Sequence, residues 1–160
     1  MVEWRRMSRI KQQLTEAECL EVLRSTKRGV LSVTGDGGYP YGVPINHFWR
    51  DADGCLYFHG GRRGHKIDAL RTSDKASFCT YDDGARDEGE WWLTIKSVIV
   101  FGRVEFVDDE ALLVEVSRDL SHKFTSDEGY IEGEIEKDGA RTLLLRLVPE
   151  HMTGKRVTEK

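Results

Sequence analysis

Proline and cysteine are scarce in this chain, three of each among 160 residues. Cys19, Cys55 and Cys79 are odd in number and widely spaced, with no C-x-x-C pair. That argues against a disulfide framework or a cysteine-rich zinc site. They read instead as small buried hydrophobes in a reducing compartment, with the cytoplasm as the expected address. Long apolar runs are missing as well. The longest, Ser97-Val98-Ile99-Val100-Phe101 with its serine counted, is far too short to span a bilayer. The basic opening Trp4-Arg5-Arg6-Met7-Ser8-Arg9 has no apolar stretch behind it, so neither a membrane span nor a secretory signal is expected. A basic surplus is absent too. The net charge of −4 is the wrong sign for a surface that neutralises nucleic-acid phosphates.

Several chemical signatures are also lacking. Neither G-x-x-x-x-G-K-[ST] nor G-x-G-x-x-G occurs, which disfavours nucleotide-dependent phosphoryl transfer and Rossmann chemistry. No G-x-S-x-G is present, so covalent hydrolysis is poorly supported. Five histidines, His47, His59, His65, His122 and His151, occur without H-E-x-x-H or any comparable ligand spacing, and no dedicated metal site is expected.

What remains is an ordinary globular composition, 39% apolar and 32% charged, of a length suited to one domain. Residues 1–13 read as a polar, basic arm and 14–157 as the domain. Thr15 with Glu18 forms a capping box before an apolar face at Cys19, Leu20, Val22 and Leu23, predicting a helix over 15–26. Strands follow at Gly29–Thr34, Tyr39–Phe48, Cys55–His59, Ala76–Tyr81, Leu93–Val107 and Thr142–Val148. Gly35-Asp36-Gly37-Gly38 and Asp51-Ala52-Asp53-Gly54 close two hairpins. Helical spacing predicts further helices over 64–72 and from Asp109 to Phe124. Hairpin-linked strands with helices at the periphery indicate a mainly β (α+β) fold, a small antiparallel barrel.

Three stretches carry chemistry. The run Tyr57 to Ile67 passes from strand to glycine corner to basic cluster to helix start. Glycines admit a ligand close to the backbone, and a helix N-terminus offers N–H groups to an anion. Arg62, Arg63, His65 and Lys66 oppose the macrodipole there, a conflict that a bound phosphate would resolve. A solvated basic turn is the competing reading. In the second stretch, Lys96 to Glu105, residues 97–101 lack polar alternation. Both faces of that strand should then be covered, by a second copy of the chain or by the chain's own helix. In the third, Tyr41 to His47, Pro44 removes a ladder donor. An edge or bulged strand results, whose free backbone groups and Asn46 could meet a planar heterocycle. Trp91-Trp92, after an acidic loop, suits either a lid over a flat ligand or plain packing.

These stretches, in their order and spacing, resemble the pyridoxamine 5′-phosphate oxidase-related FMN-binding split barrels, and within them the nitroimidazole-resistance (Nim-like) branch. The similarity lies in Gly29–Val33, Gly38–Asn46, Leu56–Gly60, Gly64–Asp68, Ser97–Arg103 and Thr153-Gly154-Lys155. It implies an antiparallel split β-barrel that binds FMN at a homodimer interface. Val43, Pro44, Ile45 and Asn46 would line the ring and ribityl chain. His59, Gly60, Gly64, His65 and Lys66 would hold the phosphate, and Ser97 would reach the isoalloxazine. The implied activity is reduction of a small planar acceptor such as a nitroimidazole or other nitroaromatic, with no residue assigned as proton donor. A flavin store or redox sensor, or a haem- or deazaflavin-binding split barrel, is the alternative. The chain departs from pyridoxamine-phosphate oxidases in ending Gly154-Lys155-Arg156-Val157-Thr158-Glu159-Lys160, without an Arg/His-rich segment. It departs from many Nim-like relatives in having Ile95 at an aromatic position, and its loop 82–92 carries five carboxylates, Asp82, Asp83, Asp87, Glu88 and Glu90.

Overall fold

The computed structural model describes residues 2–160. Its first regular helix, α1 (Glu16–Ser25), starts at the predicted capping box. The Thr15 hydroxyl accepts the Glu18 amide, and the Glu18 carboxylate accepts the Thr15 amide. Then come β1 (Arg28–Thr34), β2 (Pro40–Asn46), β3 (Phe48–Arg50), β4 (Cys55–Gly61), α2 (His65–Thr72), β5 (Lys75–Tyr81) and β6 (Thr94–Val107). Helices α3 (Glu110–His122) and α4 (Glu128–Asp138) precede β7 (Thr142–Thr158).

All seven strands join one antiparallel sheet in the order β2-β1-β5-β6-β7-β4-β3. The two edge strands, β2 and β3, are separated in sequence by His47 alone. Opposite edges must therefore meet at that residue, and the sheet curls to let them. The result is a split barrel, the antiparallel barrel that the residue pattern predicts in the form that the family resemblance implies. Leu31, Val33, Phe58, Phe78, Val98 and Val100 fill the interior, with α1 and α2 contributing Leu23 and Ile67. A smaller cluster of Cys55, Tyr57, Leu144 and Val116 lies under α3.

Within the single chain, β6 is covered on its inner face, and the outer face of 97–101 is left for a partner to cover. Val98 and Val100 of β6 point inward, but Ile99 between them is 37% exposed in the single chain. The arm covers that outer side only at its Phe101 end. Trp4 stacks on His151 at 4.8 Å and lies 5.3 Å from Phe101. Strand β4 is the one buried on both faces, with Leu56 and Phe58 inside and Cys55 and Tyr57 beneath α3.

Two boundaries also differ. Strand β2 stops at Asn46, because the chain changes edges there. Strand β7 runs ten residues past Val148, to Thr158. It gets past Pro149 through a bulge opposite Phe101/Gly102, the kind of position where a missing amide is tolerated. Gly102 is obligatory at this bulge, since a Cβ would collide with the Val148 carbonyl. Helix α4 has no counterpart in the predicted elements. Its sequence holds Gly129 and Gly133 among charges, and Ile131 is its one buried residue, so no apolar stripe announces it. Among the described residues no helix is long and apolar enough to cross a membrane.

Candidate functional site

The glycine corner forms where β4 ends and α2 begins. Gly64 caps α2 at φ +128°, a conformation that side chains rarely adopt. Lys66 is half-buried, and its Nζ lies 3.2 Å from the point a Cβ on Gly60 would occupy. Glycine at 60 leaves space beside the ammonium. Burial lowers the Lys66 pKa. Burial, and then the Lys66 charge, lower that of His59. The two are therefore neighbours that resist a second positive charge, and no carboxylate is paired with either among the described residues.

The rest of the basic cluster disperses. His65 stacks on Tyr41 at 4.1 Å, and its Nε2 accepts the Asp36 amide at 3.2 Å. Its ring thus braces the β1–β2 turn rather than joining His59. Arg62 borders a separate hollow against Val107 and Leu113, and Arg63 is exposed.

A groove of about 370 Å³ is bounded by Arg28, Pro44, Ile45, Asn46 and His59. Hairpin register creates one wall, pairing Arg28 with Asn46 and Val30 with Pro44. Barrel closure at His47 brings β4, and so His59, against it. Burial alternates along β2. Val43 and Ile45 pack on the core, while Pro44 and Asn46 belong to the outer side with Arg28 and Val30. Pro44 does lie on a sheet edge. Ser97 faces outward too, paired with Tyr81 and Lys155. It stands three strands from Asn46 in the sheet order, ~14 Å at ~4.8 Å per strand. One chain therefore gathers Pro44, Ile45, Asn46 and His59, with Gly60 and Lys66 beside them, and leaves Ser97 and the His65 ring apart.

Two cations had no place in the residue pattern. Arg28 joins the groove without an ion-pair partner among the described residues, its guanidinium 5.3 Å from the Phe124 ring. Counting back from the 35–38 turn would have found it, because the hairpin ladder fixes Arg28 opposite Asn46. Lys123 is the other. Its ammonium donates to the His47 carbonyl at 2.8 Å, and burial, then nearby Lys27, push its pKa down to about 8. No local signal marks it, since the contact spans 76 residues.

His47 holds the seam itself. It is fully buried. Its Nε2–H donates to the Leu23 carbonyl at 2.9 Å, with the Thr26 hydroxyl 3.3 Å away. Burial and then Lys123 push its pKa down to about 4, so the ring is neutral. Its Nδ1 has no partner among the described residues. Trp91, 70% exposed, meets Trp92 edge-on, and Lys160 lies 4.8 Å from the Trp92 ring.

Residues 15–156 match the model of the pyridoxamine 5′-phosphate oxidase family. Among solved structures, the chain resembles a candidate 5-nitroimidazole antibiotic resistance protein from Bacteroides thetaiotaomicron. The TM-score is 0.72 at 18% identity, over 91% of this chain and 87% of that one. It also resembles an FAD-binding protein from Mycobacterium smegmatis (TM-score 0.64, 24% identity, 92% and 99% covered). An FAD- and haem-binding protein from the same organism aligns with TM-score 0.68 at 23% identity, covering 90% and 72%. These likenesses bear on the fold. No curated protein matches the sequence.

Proposed function

Because the chain belongs to the pyridoxamine 5′-phosphate oxidase family, we propose that it is a flavoprotein that binds FMN and reduces a small planar acceptor, such as a nitroaromatic. One observation carries the reading. In a chain of net charge −4, an outward groove collects Arg28 and His59 against the sheet-edge residues Pro44 and Asn46, with unpaired Lys66 beside it. A half-buried ammonium such as that of Lys66 is costly without an anion beside it, and the exposed Arg28 adds a second positive charge at the groove's rim.

The residues fit a flavin mononucleotide. Arg28 and Lys66 supply charge-assisted donors for its phosphate, and His59, held largely neutral at pH 7 by its lowered pKa, adds a hydrogen-bonding ring nitrogen. With no side chain at Gly60, the space beside the Lys66 ammonium is free for an oxygen. On edge strand β2, backbone groups turned away from β1 are available to the polar edge of a heterocycle, and Asn46 offers both a donor and an acceptor. The flavin itself would supply the hydride or electron chemistry. The chain's part is to grip, orient and dry the site.

A second copy of the chain belongs to this proposal. Val30, Ile99 and Tyr81 leave an apolar outer face around Ser97, and a partner laid on it would bury that face and bring its own Ser97 toward the groove. Purified protein titrated with FMN, FAD and haem tests the cofactor. FMN should bind stoichiometrically, and preference for haem, or no flavin binding, would refute the reading. Anaerobic reoxidation of the reduced flavoprotein by a nitroimidazole tests the activity. Failure across an acceptor panel would favour a flavin store or sensor.

A further inference from the structure

A cavity of about 220 Å³ lies between α3, α4 and the end of β4, with His59 in the wall it shares with the groove. Its sides are apolar, from Leu113, Val114 and Ile135. Ser117, 8% exposed, also borders it. The Ser117 carbonyl is used by the Ser121 hydroxyl at 2.7 Å, while its own hydroxyl has no partner among the described residues. The carboxylate and basic residues on its lining are of one sign: Glu134 and Asp138 border it, and no lysine or arginine does among the described residues. Lys137 meets Glu134 only from the solvent side, at 3.6 Å with its own side chain 69% exposed. The hollow beyond, sharing Leu113 and Ile135, is rimmed by Asp108, Asp109, Glu110 and Glu136 against Arg62 alone.

We propose that this cavity is a second small-molecule site, selective for a compact organic cation, an amine or amidine carried on an apolar body. The walls would take the apolar part, the Ser117 hydroxyl would offer a hydrogen bond, and Glu134 and Asp138 would pair with the charged head. An anion of the same shape would face two carboxylates and no donor cation, the kind of juxtaposition that discriminates strongly. The volume limits the body to about one ring. The site stands whether or not the groove takes a flavin, because neither Arg28 nor Lys66 lines it and His59 is the one residue the two share.

Benzamidine and benzoate share one ring and carry opposite charge, so they make the test. Each is titrated into the flavin-free full chain and followed by amide chemical shifts. Benzamidine should bind saturably at about 1 mM or below, at least about tenfold tighter than benzoate, with shifts confined to α3, α4 and the β4 end. Glu134→Gln with Asp138→Asn should erase the preference while leaving the thermal midpoint unchanged. Ile135→Trp should fill the cavity and abolish binding. Equal affinity for the two probes, no saturable benzamidine binding, or shifts centred elsewhere would overturn the proposal without touching the flavin reading, which the FMN titration decides separately.

Discussion

Lys66 is in a predicament, a positive charge drawn partly out of water with no protein anion to meet it among the described residues, and Arg28, though exposed, is likewise without an ion-pair partner there. If the flavin phosphate resolves this, reversing one charge should be severe. Lys66→Glu removes a charge-assisted contact worth about 1.5–3 kcal/mol and adds repulsion, so FMN affinity should fall by more than about tenfold. Unchanged affinity in a fluorescence titration would displace the phosphate from this corner. His47 yields a pH prediction. Its pKa falls from 6.5 in the unfolded chain to about 4 in the folded one. Between those values the unfolded chain takes up a proton that the folded chain refuses. The stability tied to neutral His47 is fully present above pH 6.5 and drains away toward pH 4, by about 3 kcal/mol. Urea midpoints at neutral and acid pH should show the loss in the wild type, and a clearly smaller one in His47→Gln. Equal acid sensitivity would exclude His47 as its source. Of these residues, Lys66 was legible because helix starts have local signatures. Arg28 needed hairpin register, and Lys123 needed the whole barrel.

Among the elements, α1 and α4 mark the two extremes of legibility. Helix α1 announces itself through a capping box and an apolar face that buries Cys19, Val22 and Leu23. Thr15→Ala should cost about 1 kcal/mol, read as a lowered urea midpoint, and a midpoint unmoved would show the cap to be idle. Helix α4 is held by tertiary contact, chiefly through Ile131, and by the Asp127 side chain accepting the Tyr130 amide. An Arg118–Glu132 pair at 2.7 Å ties it to α3, but an exposed pair contributes little. Charges and two glycines give no period to read. The strands show the same division. Alternation in β1 and β5 exposes their inner faces directly, whereas β4 is doubly buried because α3 folds back over it from 50 residues downstream. The uninterrupted run Cys55-Leu56-Tyr57-Phe58 carried that information and was not read.

At the scale of the molecule, the sheet's outer side is the open question of packing. Val30, Tyr81 and Ile99 form exposed apolar surface on adjacent strands β1, β5 and β6, and the arm covers only the Phe101 end. In the proposed dimer, a charge at the centre of this face should block association without harming the core. Ile99→Lys is expected to halve the native mass by light scattering while retaining the circular dichroism of the wild type. A wild type that is itself monomeric with excess FMN would remove the interface from the proposal.

The residue pattern by itself determined the hairpins, the capped helices, the glycine corner and the antiparallel barrel, because each rests on interactions within a few positions or on strict periodicity. The long-range outcomes needed the folded chain: the seam at His47, the meeting of Arg28 with His59, the dispersal of His65 and Arg62, and the cavity under α4. They depend on which strands become sheet edges. The edges of a curled sheet are brought together by closure of the whole, which no local stretch of residues encodes.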